Sequence, residues 1–182
     1  MKARFLKQLN SKKAFTLIEV LIYGLFLVII SAVAVSFFIQ VVNVTETSRR
    51  GRESLENARR GLDVITQEIR HADSVYAPTS VLDTTPGQLG LQTKRDLPTD
   101  EDTTYVDFYV DDDRLYIKRE SESEQLITSE KVRVNELTFS LLNDASQKPA
   151  IQVKITVEYV DAIYGPGNAV TLVSTATLRS YE

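Results

Sequence analysis

The residues Val20–Ile39 form an apolar stretch without a charged side chain, and this stretch constrains the fold more than any other feature. A helix of these 20 residues rises about 30 Å, which is the thickness of the hydrocarbon core of a bilayer. The rest of the chain is polar, with the alternating patterns of a water-soluble protein. The sequence therefore predicts one helix suited to lipid, joined to a soluble part.

The flanks of this stretch separate several kinds of membrane segment. A secretory signal peptide has an apolar region of about 7–15 residues and then a small-residue cleavage site. The run here is longer, and Gln40-Val-Val-Asn-Val-Thr-Glu follows it, so a signal anchor fits better by length. The positive-inside rule leaves the orientation undecided, because basic residues lie on both sides. They are Lys2, Arg4, Lys7, Lys12 and Lys13 before the run, and Arg49, Arg50, Arg52, Arg59 and Arg60 after it.

The net charge of -4 is divided unevenly along the chain. Residues 1–14 carry five basic side chains and no acidic one, which leaves a charge of -9 for the remainder. A protein this acidic is a poor candidate for binding nucleic acid, which requires neutralisation of phosphates. The absence of cysteine excludes disulfides, thiolate metal sites and cysteine catalysis.

One carboxylate, Glu19, lies at the start of the apolar stretch. A charged side chain at the centre of a membrane span costs about 2.5–3.5 kcal/mol on insertion scales, and less near the interface. The residues alone leave two interpretations open. Glu19 is an interfacial acid that Lys12 or Lys13 partly neutralises, or it pairs with a positive charge that is created elsewhere.

The residues around this glutamate resemble a known processing motif. The run Lys12-Lys13-Ala14-Phe15-Thr16-Leu17-Ile18-Glu19-Val20-Leu21 is similar to the prepilin-type cleavage and methylation motif of type IV pilins and type II secretion pseudopilins. The resemblance implies that a prepilin peptidase removes the leader, residues 1–14, by cutting between Ala14 and Phe15, and that the new amine of Phe15 is N-methylated. The two lysines before the cut are the leader's basic residues. The family usually has glycine in place of Ala14, so we expect slower or still adequate processing.

The resemblance assigns Glu19 to assembly, where it faces the terminal amine of a neighbouring subunit. A pair of unit charges about 4 Å apart is worth roughly 4 kcal/mol at an effective dielectric constant of about 20, which exceeds the insertion cost. The implied partners are a prepilin peptidase, other pilin or pseudopilin subunits, an inner-membrane assembly platform, and membrane lipid before assembly. Neither nucleic acid nor a metal or cofactor is expected.

The resemblance also implies a location. The chain would cross the inner (cytoplasmic) membrane once, with its leader in the cytoplasm and its C-terminal domain outside the cytoplasm. It would then enter an envelope-spanning or surface filament.

Helical periodicity continues beyond the apolar stretch. In the segment 45–77, apolar residues recur every three or four positions, at Leu55, Ala58, Leu62, Ile65, Ile69 and Ala72. We therefore expect one long helix from about Phe15 to Ala72, apolar on all sides over residues 15–44 and amphipathic in its second half, with Pro78 preventing continuation. Gly51 and Gly61 should each weaken this helix by about 1 kcal/mol relative to alanine.

Residues 78–182 change to the period of two that is typical of β-strands. Strands are expected at Gln88–Thr93, Tyr105–Val110, Arg114–Arg119, Glu124–Thr128, Val132–Leu142, Ile151–Val160 and Val170–Arg179, with turns at Asp111–Asp113 and Gly165–Asn168. The predicted fold is α+β and pilin-like, with a long N-terminal helix packed on an antiparallel β-sheet. The segment Leu115–Arg119 and the closing strand also resemble the minor pseudopilin J and pilus-assembly W branch.

Candidate chemistry elsewhere in the chain is sparse. His71, the only histidine, falls in the last predicted helical turn, where an imidazole can meet unpaired carbonyl groups. The acidic runs Asp100–Asp102 and Asp111–Asp113 lack the ligand spacing of an EF-hand loop. No phosphate loop, dinucleotide fingerprint or hydrolase motif occurs.

The resemblance implies a structural subunit, a minor pilin or pseudopilin, and not an enzyme. Two alternatives remain open. The first is a signal-anchored envelope binding module that is not assembled into a filament. The second is an enzyme on a membrane anchor, which lacks a visible set of catalytic residues.

Overall fold

A computed structural model describes residues 15–95, 97, 101–120, 122–142, 149–161 and 165–179. The chain divides into two compact units, Met1–Thr45 and Glu46–Glu182. One helix, α1 (Leu17–His71), contributes its first part to one unit and its second part to the other. The predicted helix, from about Phe15 to Ala72, agrees with these bounds to within two residues at each end.

The second part of α1 packs one face against the β-strands of its unit. The buried residues are Ser54, Asn57, Ala58, Gly61, Leu62, Ile65, Thr66 and Ile69. The predicted apolar stripe is confirmed except at Leu55, which is only half-buried. Asn57 is accommodated because its side chain is hydrogen-bonded at both ends. Its Oδ1 accepts from the backbone N–H of Ser129 at 2.8 Å, and its Nδ2 donates to the carbonyl of Glu53 at 2.9 Å.

The end of α1 is fixed by contacts with distant residues. The Thr93 hydroxyl donates to the carbonyl of His71 at 3.2 Å, and the backbone N–H of Arg179 donates to the carbonyl of Ala72 at 3.0 Å. Carbonyl groups at a helix end need such partners, because the helix itself provides none. These contacts end the helix at His71, before the chain reaches Pro78.

The first sheet contains five antiparallel strands in chain order. They are β1 (Ser74–Val75), β2 (Leu89–Thr93), β3 (Thr104–Asp111), β4 (Arg114–Arg119) and β5 (Gln125–Leu126). Strands β3 and β4 form the predicted hairpin. Its turn residues, Asp112 and Asp113, have φ angles of 47° and 59°, the positive values of a two-residue type I′ turn. Strand β1 begins two residues after Ala72, the predicted end of the helix.

The second sheet is built around β7 (Ala150–Asp161), which pairs with β6 (Val132–Leu142) on one side and β9 (Val170–Thr177) on the other. A two-residue strand, β8 (Gly165–Pro166), pairs with the end of β7. These two residues were predicted to belong to a turn, and the connection that precedes them, 162–164, lies outside the described residues. Two antiparallel sheets therefore replace the single predicted sheet.

Gly61 lies where α1 approaches both sheets. A Cβ atom at this position would lie 3.0 Å from Leu115 Cδ2 of β4 and 3.3 Å from Ile155 Cδ1 of β7. The absence of a side chain thus lets the helix pack closely against both strands. The largest fully buried side chains around this helix face include Phe108, Phe139, Ile65, Ile69, Leu89, Leu91 and Leu137. The predicted α+β arrangement, a long N-terminal helix packed on antiparallel β-structure, is confirmed.

Candidate functional site

Thr16 caps the first turn of α1. The backbone N–H of Glu19 donates to Thr16 Oγ1 at 3.3 Å and to the Thr16 carbonyl oxygen at 3.1 Å. A threonine at this position satisfies N–H groups that have no partner inside the helix. Thr16 and Glu19 also have the spacing of a Thr-x-x-Glu capping pattern. The polar residues before the apolar stretch therefore define where the helix begins.

Tyr23 connects the two predicted site residues that the structure describes. Its hydroxyl donates to Glu19 Oε1 at 3.2 Å. Its ring meets the ring of Phe15 edge to face, with centroids 6.5 Å apart and planes 75° apart. Phe15 is 71% exposed, whereas Glu19 is the only partly shielded residue within 15–45. The first turns of α1 thus bring Phe15 and Glu19 together through Tyr23.

No cationic side chain lies near Glu19 in the sequence that follows residue 14. Residues 15–45 contain no lysine, arginine or histidine. The positive end of the helix dipole stabilises a carboxylate in the first turn by about 0.3–1 kcal/mol at exposed sites. A hydroxyl such as that of Tyr23 supplies a hydrogen bond but no charge. Within residues 15–45, Glu19 therefore has a hydrogen bond and the helix dipole, but no cation, to compensate its charge.

The first part of α1 leaves its apolar side chains exposed on every side. Their exposed fractions range from 44% at Val41 and Val42 to 82% at Leu17. The helix is long and apolar enough to cross a membrane, and its most apolar window contains no buried residue. A helix of this length and composition is suited to serve as a single membrane anchor.

The other predicted residues fall in two places. Three of them, Lys12, Lys13 and Ala14, lie outside the described residues. His71 ends α1, and its Nδ1 lies 2.7 Å from the carbonyl oxygen of Gln67. The imidazole therefore contacts a carbonyl one helical turn back, and not the unpaired carbonyl groups at the end of the helix that the sequence predicted.

A polar pocket of about 280 Å³ lies within the unit Glu46–Glu182. It is lined by Glu68, Thr93, Arg95, Thr104, Val106, Arg119, Glu120, Glu122 and Gln125. Its central acid and base pair with each other, because Arg119 Nη2 donates to Glu68 Oε1 at 2.7 Å. Among the described residues, no group of three or more histidines and acids is placed to hold a metal ion.

Two groups in the same unit have shifted pKa values, and each shift follows from a partner. The Glu124 carboxylate accepts a hydrogen bond from the Tyr109 hydroxyl at 2.5 Å and raises the pKa of Tyr109 to about 12. The Lys154 ammonium, 2.7 Å from Glu136 Oε1, lowers the pKa of Glu136, and a hydrogen bond from Thr156 adds to the effect. Shifted pKa values can indicate functional sites, but ion pairs and hydrogen bonds of this kind produce them too.

No protein-family model, curated protein or solved structure matches this chain. The case for a function therefore rests on the chain's own residues. Two contributors to the site, Thr16 and Tyr23, were missed in the sequence analysis. The Thr-x-x-Glu spacing before an apolar run and the four-residue separation of Glu19 and Tyr23 on a helix were the signals that could have identified them.

Proposed function

We propose that this chain is a structural subunit, a minor pilin or pseudopilin, of a type IV pilus-like or type II secretion filament. The proposal is carried by one observation: Glu19 lies at the start of an exposed apolar helix that offers it no cation. A neighbouring subunit would supply both missing elements. Its apolar helix would cover the exposed side chains of residues 17–45, and its terminal amine would neutralise Glu19.

Cleavage creates the required charge. Cutting after Ala14 converts the backbone nitrogen of Phe15 into an amine, which remains positively charged after methylation. The pairing of this amine with Glu19 of another subunit, worth roughly 4 kcal/mol at about 4 Å and an effective dielectric constant of about 20, would favour insertion in register. Before assembly, lipid would cover the same apolar surface. Glu19 would stay near the interface, where its cost is low.

The first test is processing by a prepilin peptidase. The full chain, expressed with an active peptidase, should lose residues 1–14 and begin with N-methylated Phe15, as read by intact mass and amino-terminal sequencing. A catalytically inactive peptidase is the control for the enzyme. Ala14→Gly restores the residue that is usual in the family and should be cut at least as fast as the natural chain. An intact Met1 in all active-peptidase samples would contradict the proposal and favour an anchored envelope module.

The second test separates the charge of Glu19 from its local hydrogen bonds. Glu19→Gln removes the charge but can still accept a hydrogen bond from Tyr23. Tyr23→Phe and Thr16→Ala keep the charge and remove the two local contacts in turn. We expect all three variants to insert and to be cleaved, but only Glu19→Gln to enter sheared filaments poorly. Normal incorporation of Glu19→Gln would rule out the charge-pairing mechanism.

A further inference from the structure

Strand β9 forms an open edge of the second sheet. It pairs with β7 over Val170–Thr177, and among the described residues no strand pairs with its other side. A strand at the edge of a sheet leaves half of its backbone N–H and C=O groups available to another chain. The eight residues of β9 include no charged residue, no proline and no glycine, so it lacks the side chains that commonly protect an edge.

The opposite edge of the same sheet is covered. The carbonyls of Phe139 and Leu137 in β6 accept from the N–H groups of Asp83 and Gly87, each at 2.8 Å, and the N–H of Val134 donates to the carbonyl of Asp113 at 2.7 Å. In the first sheet, the edge strands β1 and β5 are each two residues long. Among the described strands, β9 thus combines an open edge with a length sufficient for extended pairing.

The side chains of β9 also differ from those of its neighbour. Leu172 on its inward face is only partly buried, whereas the opposite β7 residue, Ile155, is fully buried. On the outward face, Val173 is 55% exposed beside Lys154. The charged residues of this sheet face pair within β6 and β7, as Lys154 does with Glu136. An added strand would cover Leu172 and Val173 without burying a charge.

We propose that β9 is a pairing surface for a second copy of this chain, whose own β9 adds in antiparallel orientation. Two four-stranded sheets would then form one continuous sheet across a two-fold axis. Antiparallel self-pairing centred on Val173 places Thr171 opposite Thr175, and centring on Ser174 places it opposite Thr177. Either register opposes β-branched residues, a favourable combination, and brings no like charges together.

In a second copy of the chain, β9 is the strand best placed to pair with this edge. Strands β3, β4 and β7 are paired on both sides, and the free side of β6 is engaged by the contacts described above. Strand β9 itself is therefore the long strand with an open side in the described part of the chain. This inference uses only the unit Glu46–Glu182 and does not depend on the filament proposal.

The contact is small, which determines how it must be measured. One pair of strands buries less surface area than a standard stable interface, which starts at about 1,200 Å². Confinement of two anchored chains to one membrane raises their effective concentration and offsets this weakness. The experiment therefore uses the full chain in membrane vesicles.

Cysteine cross-linking tests the pairing, because the natural chain contains no cysteine. Val173→Cys should form a disulfide-linked dimer alone, or a mixed dimer with Thr175→Cys, depending on the register. Lys118→Cys, an exposed position on the outward face of the first sheet, is the matched control for collisions. Cross-linking no greater than in this control, or cross-linking to a different protein in place of a second copy, would overturn the proposal.

A charge swap provides the second readout. In a Thr175→Cys chain joined by a short bismaleimide, Val173→Lys should reduce the dimer roughly fivefold, because the two lysines are directly opposite in the register centred on Val173 and diagonal neighbours in the register centred on Ser174. Val173→Glu should do the same, and mixing the two variants should restore the dimer. Circular dichroism melts check that each variant remains folded. Equal dimer yields in all combinations would overturn the pairing.

Discussion

Along α1, residues 17–45 and residues 46–71 continue one helix with different side-chain surroundings. The second part has eight buried residues, whereas every residue of the first part except Glu19 is exposed. Packing of an amphipathic face supplies most of the stability of a helix in a folded protein. The chain therefore stabilises the second part itself. The first part has no such packing among the described residues, and its exposed apolar surface is suited to a membrane.

The largest test of this comparison replaces the same residue type in both parts. Ile65 is fully buried and Ile29 is 49% exposed. Ile65→Ala should lower the free energy of unfolding of the unit Glu46–Glu182 by about 2–5 kcal/mol, because it removes buried methyl groups and leaves a cavity. Ile29→Ala should leave this free energy unchanged. Urea unfolding of both full-length variants in detergent, followed by circular dichroism, measures the difference.

Equal destabilisation by these two alanine variants would break the comparison. It would mean that the first part of α1 contributes to the folding of the other unit. A loss at Ile65 alone would assign the stability to the contacts of the second part with the two sheets.

Substitutions of glycine test the same comparison of the two parts of α1, with smaller expected changes in stability. A Cβ at Gly61 would meet Leu115 and Ile155, whereas nothing lies within 4 Å of a Cβ at Gly51 or Gly24. Gly61→Val should destabilise the unit by about 1–3 kcal/mol through overpacking. Gly51→Ala, in the same part of the helix, should stabilise it by up to about 1 kcal/mol through helix propensity.

Gly24→Ala is the matched control in the first part of α1, and it should leave the unfolding midpoint unchanged. Thermal melts of the three variants compare these effects. A stable Gly61→Val protein would contradict the close approach of the helix to both sheets.

The periodicity of apolar residues predicted the elements whose buried face can be recognised from neighbouring residues in the sequence. The second part of α1 and the hairpin of β3 and β4 agree with the structure because one face of each element is consistently apolar. The division into two sheets was not predicted, since it depends on which distant strands pair. Likewise, Gly61 reads as a weak helix residue in sequence. Its role in packing depends on Leu115 and Ile155, which are remote in the chain.

The candidate site shows the same division between local and non-local information. Glu19 was singled out as the carboxylate at the start of the apolar stretch, and Phe15 by the resemblance of residues 12–21 to a processing motif. The contact of Tyr23 with both was available from helical spacing but was overlooked. The residues alone left two interpretations of Glu19 open, and residues 15–45, which contain no basic side chain, do not decide between them.

The smallest predicted effect concerns two carboxylates, one in each unit, which have different hydrogen-bond partners. Glu19 meets a hydroxyl, whereas Glu136 meets the ammonium of Lys154, whose hydrogen bond lowers the pKa of Glu136. A carboxyl group whose folded-state pKa is lowered stabilises the folded state above its unfolded-state pKa. That stabilisation is lost as the pH falls through the folded-state value. At neutral pH, Glu136→Gln should therefore unfold at a lower urea concentration than the natural chain.

Acidification should remove this difference, because Glu136 is then protonated in both the folded and the unfolded state. Urea midpoints measured from neutral to acidic pH should converge for the two proteins. Lys154→Gln is the matched control: in its background, adding Glu136→Gln should change the midpoint much less at neutral pH. Persistence of the full difference in that background would mean that Lys154 is not the main cause of the lowered pKa. The lowered pKa of Glu136 would then be attributed to Thr156, whose hydroxyl also donates to this carboxylate.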